Sequence, residues 1–78
     1  MRMVSAYAMI DVGEGASSEL CERIRTFDGV SEAHVVAGDF DIVVELQGKR
    51  PYDLQHVLTA RIRPLDGVGT TRTYVCLE

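Results

Sequence analysis

The 78-residue sequence predicts an α+β domain of ferredoxin-like βαββαβ order, with a four-stranded antiparallel sheet and two helices on one of its faces. Three observations lead there. Four short apolar segments and two helical stripes alternate in that order. The first strand is apolar on both sides. A heptapeptide, Ile24-Arg25-Thr26-Phe27-Asp28-Gly29-Val30, recurs as Ile62-Arg63-Pro64-Leu65-Asp66-Gly67-Val68, with five identities in seven at an offset of 38 positions. Each copy does the same mechanical job: an apolar anchor, a glycine to reverse the chain, and a valine to open the next strand.

Met3–Val12 is short, apolar and bounded by Gly13-Glu14-Gly15, and reads as the first strand. Val4, Ala6, Ala8 and Ile10 share one side, and Met3, Ser5, Tyr7 and Met9 share the other, whereas a sheet with one wet face alternates apolar with polar. Ser17 or Ser18 is the expected N-cap of the first helix, with Glu19 and Glu22 near the positive end of its dipole. Leu20, Ile24 and Phe27 give it one apolar stripe, and Gly29 suits a left-handed exit. Ser31–Ala37 is the second strand, with Ala33, Val35 and Ala37 on one side. Gly38-Asp39 marks a tight hairpin into the third strand, Phe40–Leu46, where Phe40, Ile42, Val44 and Leu46 share a face. Gln47-Gly48-Lys49-Arg50 reads as a loop. Pro51 and Asp53 open a second helix, whose stripe is Leu54, Val57, Leu58 and Ile62 and which must stop near Pro64. Val68–Leu77 is the fourth strand. Strand–helix–strand crossovers are right-handed, so both helices fall on the same side of the sheet.

Length allows a single domain, residues 1–78. A chain this short buries only roughly 60% of its unfolded surface. Hydrophobic residues nevertheless make up 46% of it, so either the core is unusually apolar or some surface is buried against another copy. The formal charge is −4, from 12 acidic and 8 basic residues, and Lys49-Arg50 is the one adjacent basic pair. Phosphate contacts supply most nucleic-acid affinity, so direct binding of DNA or RNA is not expected. Cys21 and Cys76 form no CxxC and read as reduced, largely buried thiols. No signal peptide is evident from Met1-Arg2-Met3 onward, and no apolar run approaches the ~20 residues of a membrane span, which places the chain in the cytoplasm.

Catalytic signatures are missing: there is no Gly-x-Ser-x-Gly, no His-Glu-x-x-His and no phosphate-binding Gly-rich loop ending in Gly-Lys. His34 falls in a strand and His56 in a helix, neither at ligand spacing from a cysteine or a second histidine, so no metal or cofactor is expected. The carboxylate pairs Asp39/Asp41 and Asp11/Glu14 have no second catalytic group beside them, and an enzyme is not expected. Two segments suit binding better than folding. Gly38-Asp39-Phe40-Asp41 sets two carboxylates beside turn amides, and Gly69-Thr70-Thr71-Arg72-Thr73 sets hydroxyls and a guanidinium at the start of a strand. Together they match a zwitterionic amino acid, carboxylates for its ammonium and hydroxyls and amides for its carboxylate. The same residues are also those that turns and strands prefer for themselves.

Order and spacing of these pieces resemble the effector-binding (RAM) domain of the Lrp/AsnC transcription regulators, over about Val4 to Leu77. The carrying residues are Gly38-Asp39-Phe40-Asp41, which fit that family's Gly-x-(Tyr/Phe)-Asp, and Gly67-Val68 followed by Thr71 and Thr73. The resemblance implies a dimer formed through the helix-free sheet face, dimers assembled into octameric or decameric rings, and an amino-acid effector held between dimers. It gives a ligand role to Gly38, Asp39, Phe40, Asp41, Thr70, Thr71 and Thr73. Members of that family carry an N-terminal helix-turn-helix, whereas this chain starts at the first strand; it resembles a stand-alone module without a DNA-binding domain, able to co-assemble with full-length regulators. The alternatives are an ACT-type allosteric domain, with its ligand near Gly13 or Gly15, and a small ferredoxin-like enzyme. An acylphosphatase-like enzyme needs an arginine after the first strand, and Val12–Ser18 contains none.

Overall fold

The structure is a computed structural model and describes residues 3–13 and 15–78. Its elements are β1 (Val4–Val12), α1 (Ser17–Ile24), β2 (Val30–Val35), β3 (Ile42–Gly48), α2 (Pro51–Val57, running on into one π-helical turn, Leu58–Ile62) and β4 (Val68–Val75). One antiparallel sheet has the order β2-β3-β1-β4, which is the predicted ferredoxin-like arrangement. The two βαβ halves interleave, so the strands of the central pair β1 and β3 come one from each half.

Period-two alternation aims Ala6, Ala8, Ile10, Ala33, Ile42, Val44 and Leu46 at the helices, and all are buried. Leu20, Cys21 and Ile24 of α1 close this layer from above, together with Leu54, Leu58 and Ile62 of the second helix. Alanines at Ala6 and Ala8 let the helices sit close to β1, the strand at the centre of the core. Cys21 is buried as expected, but Cys76 follows the end of β4 and is only half-buried.

The duplicated heptapeptide folds twice in the same way. Phe27 N–H donates to Ile24 C=O at 3.1 Å and Val30 N–H to Phe27 C=O at 3.2 Å; Leu65 to Ile62 and Val68 to Leu65 repeat these at 3.1 and 3.2 Å. Gly29 and Gly67 have φ of +93° and +95°, so glycine is required at the same step of each exit. The correspondence extends to the arginines: Arg25 Nε donates to the Ala33 carbonyl at 2.9 Å, and Arg63 Nε to Thr71 Oγ1 at 3.2 Å, each reaching eight residues ahead.

Several boundaries differ from expectation. The N-cap of α1 is Ala16, with no side-chain cap bond, and Ser17 is already helical. Packing decides this start, because Ala16 lies against the Gly67 turn and the core. No tight hairpin forms at Gly38-Asp39. Strand β2 ends at Val35 and β3 begins at Ile42, leaving a wider loop closed by Val36 N–H to Asp41 C=O at 2.9 Å. Phe40 therefore lies in the loop and does not share the core face of Ile42. Gln47 and Gly48 are strand residues, opposite Ser5 and Val4, and the loop shrinks to Lys49 and Arg50. Strand β4 ends at Val75. Glu14, and with it the Asp11/Glu14 pair, lies outside the described residues, as do Met1 and Arg2.

Candidate functional site

The helix-free face carries Tyr7, Met9, Val43 and Tyr74, which share a side by strand register. Polar groups rim it. Tyr7 Oη donates to Glu45 Oε2 at 3.2 Å and Ser31 Oγ to Glu45 Oε1 at 2.8 Å. The Glu45 carboxylate beside it, first as acceptor and then through its charge, pushes the Tyr7 hydroxyl pKa above its ordinary value. Glu32 stands directly opposite Glu45 across β2 and β3 and meets His34 Nε2 at 2.8 Å. Tyr7 and Tyr74, neighbours across β1 and the edge strand β4, are 43% and 58% exposed and form an aromatic patch on this face.

The loop 36–41 leads off this face. Phe40 joins Met9, Val36, Val43 and Tyr74 around a shallow groove of about 490 Å³, while Gly38 and Asp39 are exposed at the tip. Asp41 ties the loop to β1 twice. Its N–H donates to the Ile10 carbonyl at 2.9 Å, and its Oδ2 accepts from Val12 N–H at 2.8 Å.

On the other side of β1, the pairing with β4 shifts between Ile10 opposite Thr71 and Val12 opposite Val68, so Gly69 and Thr70 together face Asp11 in a β-bulge. Gly69 is the residue that fits: a Cβ there would stand 3.3 Å from the Asp11 carbonyl oxygen. Bulges re-aim side chains and recur beside binding sites. Thr70 is exposed within the bulge. Thr71 and Thr73 stand opposite Ile10 and Ala8, on the helix side of the sheet. Thr71 Oγ1 is taken up by Arg63, and Thr73 lines a second groove of about 490 Å³ with Tyr52, Gln55, Thr59 and Arg63 over a floor of Leu54 and Leu58.

The predicted residues are thus brought to one end of β1 but not into one pocket. Asp41 bonds to Ile10 from one side and Thr71 pairs with it from the other, yet Phe40 and Thr73 open on opposite faces of the sheet. Sequence reasoning missed Gln55, Thr59 and Arg63 as neighbours of Thr73. Their signal was the polar side of the second helix, which reads as an ordinary solvent face. Gly13, the ACT-type candidate, has its amide engaged by the Gly67 carbonyl at 3.0 Å. His56 stacks on Tyr52 with ring centroids 6.3 Å apart, and no described helix is long and apolar enough to cross a membrane.

A family model described as the Lrp/AsnC ligand binding domain matches residues 5–78. The HTH-type transcriptional regulator PF0250 of Pyrococcus furiosus is 33% identical over 57 residues, covering 73% of this chain and 38% of the regulator. The chain thus spans well under half of that relative. A homocitrate synthase of Sulfurisphaera tokodaii contains a stretch 31% identical over 62 residues, which is 80% of this chain but 13% of the enzyme. Among solved structures, TTHA0845 of Thermus thermophilus superposes with a TM-score of 0.91 at 28% identity, covering 96% of this chain and 94% of that one. The transcriptional regulator NMB0573 of Neisseria meningitidis, solved as an L-Met complex, superposes with a TM-score of 0.83 at 13% identity, over 96% of this chain and 50% of that one, and shares the fold. Strand order and the family match over residues 5–78 agree: the chain belongs to the Lrp/AsnC ligand-binding-domain family of transcription regulators.

Proposed function

We propose that this domain senses an amino acid and carries the response through its own assembly and through full-length Lrp/AsnC-type regulators with which it co-assembles. One observation supports this most: Phe40 and Thr73, from the two candidate segments, open on opposite faces of a single chain's sheet. A ligand that uses both segments then needs a second copy, with the loop of one presented to the threonine strand of another. The helix-free face, with Tyr7, Met9, Val43 and Tyr74, is the surface on which two copies pair, and pairs associate further into rings of eight or ten. The amino-acid class rests on the exposed carboxylate of Asp39, on the hydroxyls of Thr70, Thr71 and Thr73, and on the L-Met held by the fold relative. Such a module works by binding and assembly, not by catalysis, and works where its regulators work, in the cytoplasm.

The test is a thermal-shift screen against the twenty amino acids, followed by sedimentation with each one that binds. A ligand that binds only the folded state raises the melting temperature, by mass action. At least one amino acid is expected to do so at millimolar concentration and to change the sedimentation coefficient. A flat screen would remove amino-acid sensing and leave only an assembly role.

A further inference from the structure

Strand β1 outruns its partner. Strand β3 begins at Ile42, opposite Ile10, so the N–H of Val12 points past the end of the ladder toward a place where no strand carbonyl exists. Val12 packs on the core, and an orphan N–H there is costly. The Asp41 carboxylate fills that place at 2.8 Å, while the Asp41 N–H continues the ladder to Ile10 at 2.9 Å. The loop is therefore pinned to the same residues, Ile10 to Val12, whose other edge carries the Gly69-Thr70 bulge.

From this geometry we infer that Asp41 is a positioning residue that latches the loop 36–41 to β1, and that the exposed Asp39 is the carboxylate offered to a ligand's ammonium group. The inference rests on the effector reading given above and divides the work between its two acidic residues. Asp41 has one oxygen committed to a backbone donor at the base of the loop. Among the described residues the Asp39 side chain makes no hydrogen bond, and it sits beside Gly38 at the tip. The same latch holds the loop in which Phe40 lines the apolar groove with Met9 and Val43, so that losing it frees both the tip and the groove.

Three variants separate the roles, read by amide hydrogen exchange at Val12 and by thermal shift with the twenty amino acids as probes. Asp41→Asn keeps an oxygen acceptor without the charge, Asp41→Ala removes the acceptor, and Asp39→Asn removes the charge at the tip. Val12 exchange is expected to quicken about tenfold or more in Asp41→Ala and to stay within roughly threefold of wild type in Asp41→Asn. Amino-acid shifts are expected to survive Asp41→Asn and to vanish in Asp39→Asn. Unchanged Val12 exchange in Asp41→Ala would overturn the latch. So would loss of amino-acid binding in Asp41→Asn with Val12 still protected, because the charge at that position would then be a ligand contact. If Asp41→Ala does not fold, Asp41→Asn decides alone, with exposure of Val12 counting against the latch. If no amino acid shifts wild type, the effector reading fails while the exchange data still decide the role of Asp41.

Discussion

Gly29 and Gly67 occupy the same step of the two exits, but their neighbours differ. A Cβ at Gly29 would stand 2.7 Å from Val57 Cγ2, whereas one at Gly67 would stand 3.2 Å from Leu20 Cδ1. Backbone strain from a positive φ costs about 1–2 kcal/mol at either position. Gly29→Ala is therefore expected to lose at least that much in urea denaturation, and more than Gly67→Ala, because the clash adds to the strain. Asp53 offers a second residue-scale prediction. The Arg50 side chain and backbone N–H hold its carboxylate, at 3.3 and 3.1 Å, and the side-chain bond to Arg50 lowers its pKa below the usual 3.8. A lowered folded pKa stabilises the protein above the unfolded value, and that contribution disappears as pH falls through the folded one. Asp53→Asn is expected to flatten the stability profile below about pH 4 without altering its shape near neutrality. A variant profile that tracks wild type down to acid pH would contradict this.

The two helices show how an identical motif can be entered from different geometry. In the first half Arg25 N–H bonds to Cys21 C=O, an α-helical step; in the second, Arg63 N–H bonds to Leu58 C=O, one residue farther back. The extra residue wound into the π turn lets Ile62 reach the core at the position Ile24 reaches in the first half, and both are fully buried. Truncating either side chain leaves a cavity, so Ile24→Ala and Ile62→Ala are each expected to cost about 2–5 kcal/mol in denaturant. Apolar period and heptapeptide made these anchors legible in the sequence, because burial writes itself as spacing. Other features left no such mark. The π turn adds one residue without breaking the apolar stripe, and Ala16 becomes an N-cap through packing that is distant in sequence. The loop 36–41 reads as a two-residue hairpin until Asp41 is seen satisfying Val12. That bond spans 29 positions, and no local pattern encodes it. For the same reason, the candidate site was readable as residue types but not as a place. Phe40 fits the period of β3, yet the loop turns it onto the other face.

For the molecule as a whole, the high hydrophobic content divides between a core of small and branched residues and the sheet face opposite. Exposed Tyr7 and Tyr74, with half-buried Met9 and Val43, make that face an apolar patch, the surface proposed above for pairing. Met9→Lys combined with Val43→Glu would place charges at its centre. The double variant is expected to sediment as a monomer with an unchanged circular-dichroism spectrum, while the wild type self-associates at micromolar concentration. A monomeric wild type would leave the apolar face without its proposed use.

The claim on which the rest depends is that an amino acid is held by the Gly38–Asp41 loop and the threonine strand. A heteronuclear NMR titration with the amino acid that most raises the melting temperature tests it most directly. Saturating shifts are predicted at Gly38, Asp39 and Phe40 together with Thr71 and Thr73, whose resonances move in parallel along one binding curve. Shifts confined to Gly13 and Gly15 at the β1–α1 junction, with the loop and β4 unmoved, would contradict it.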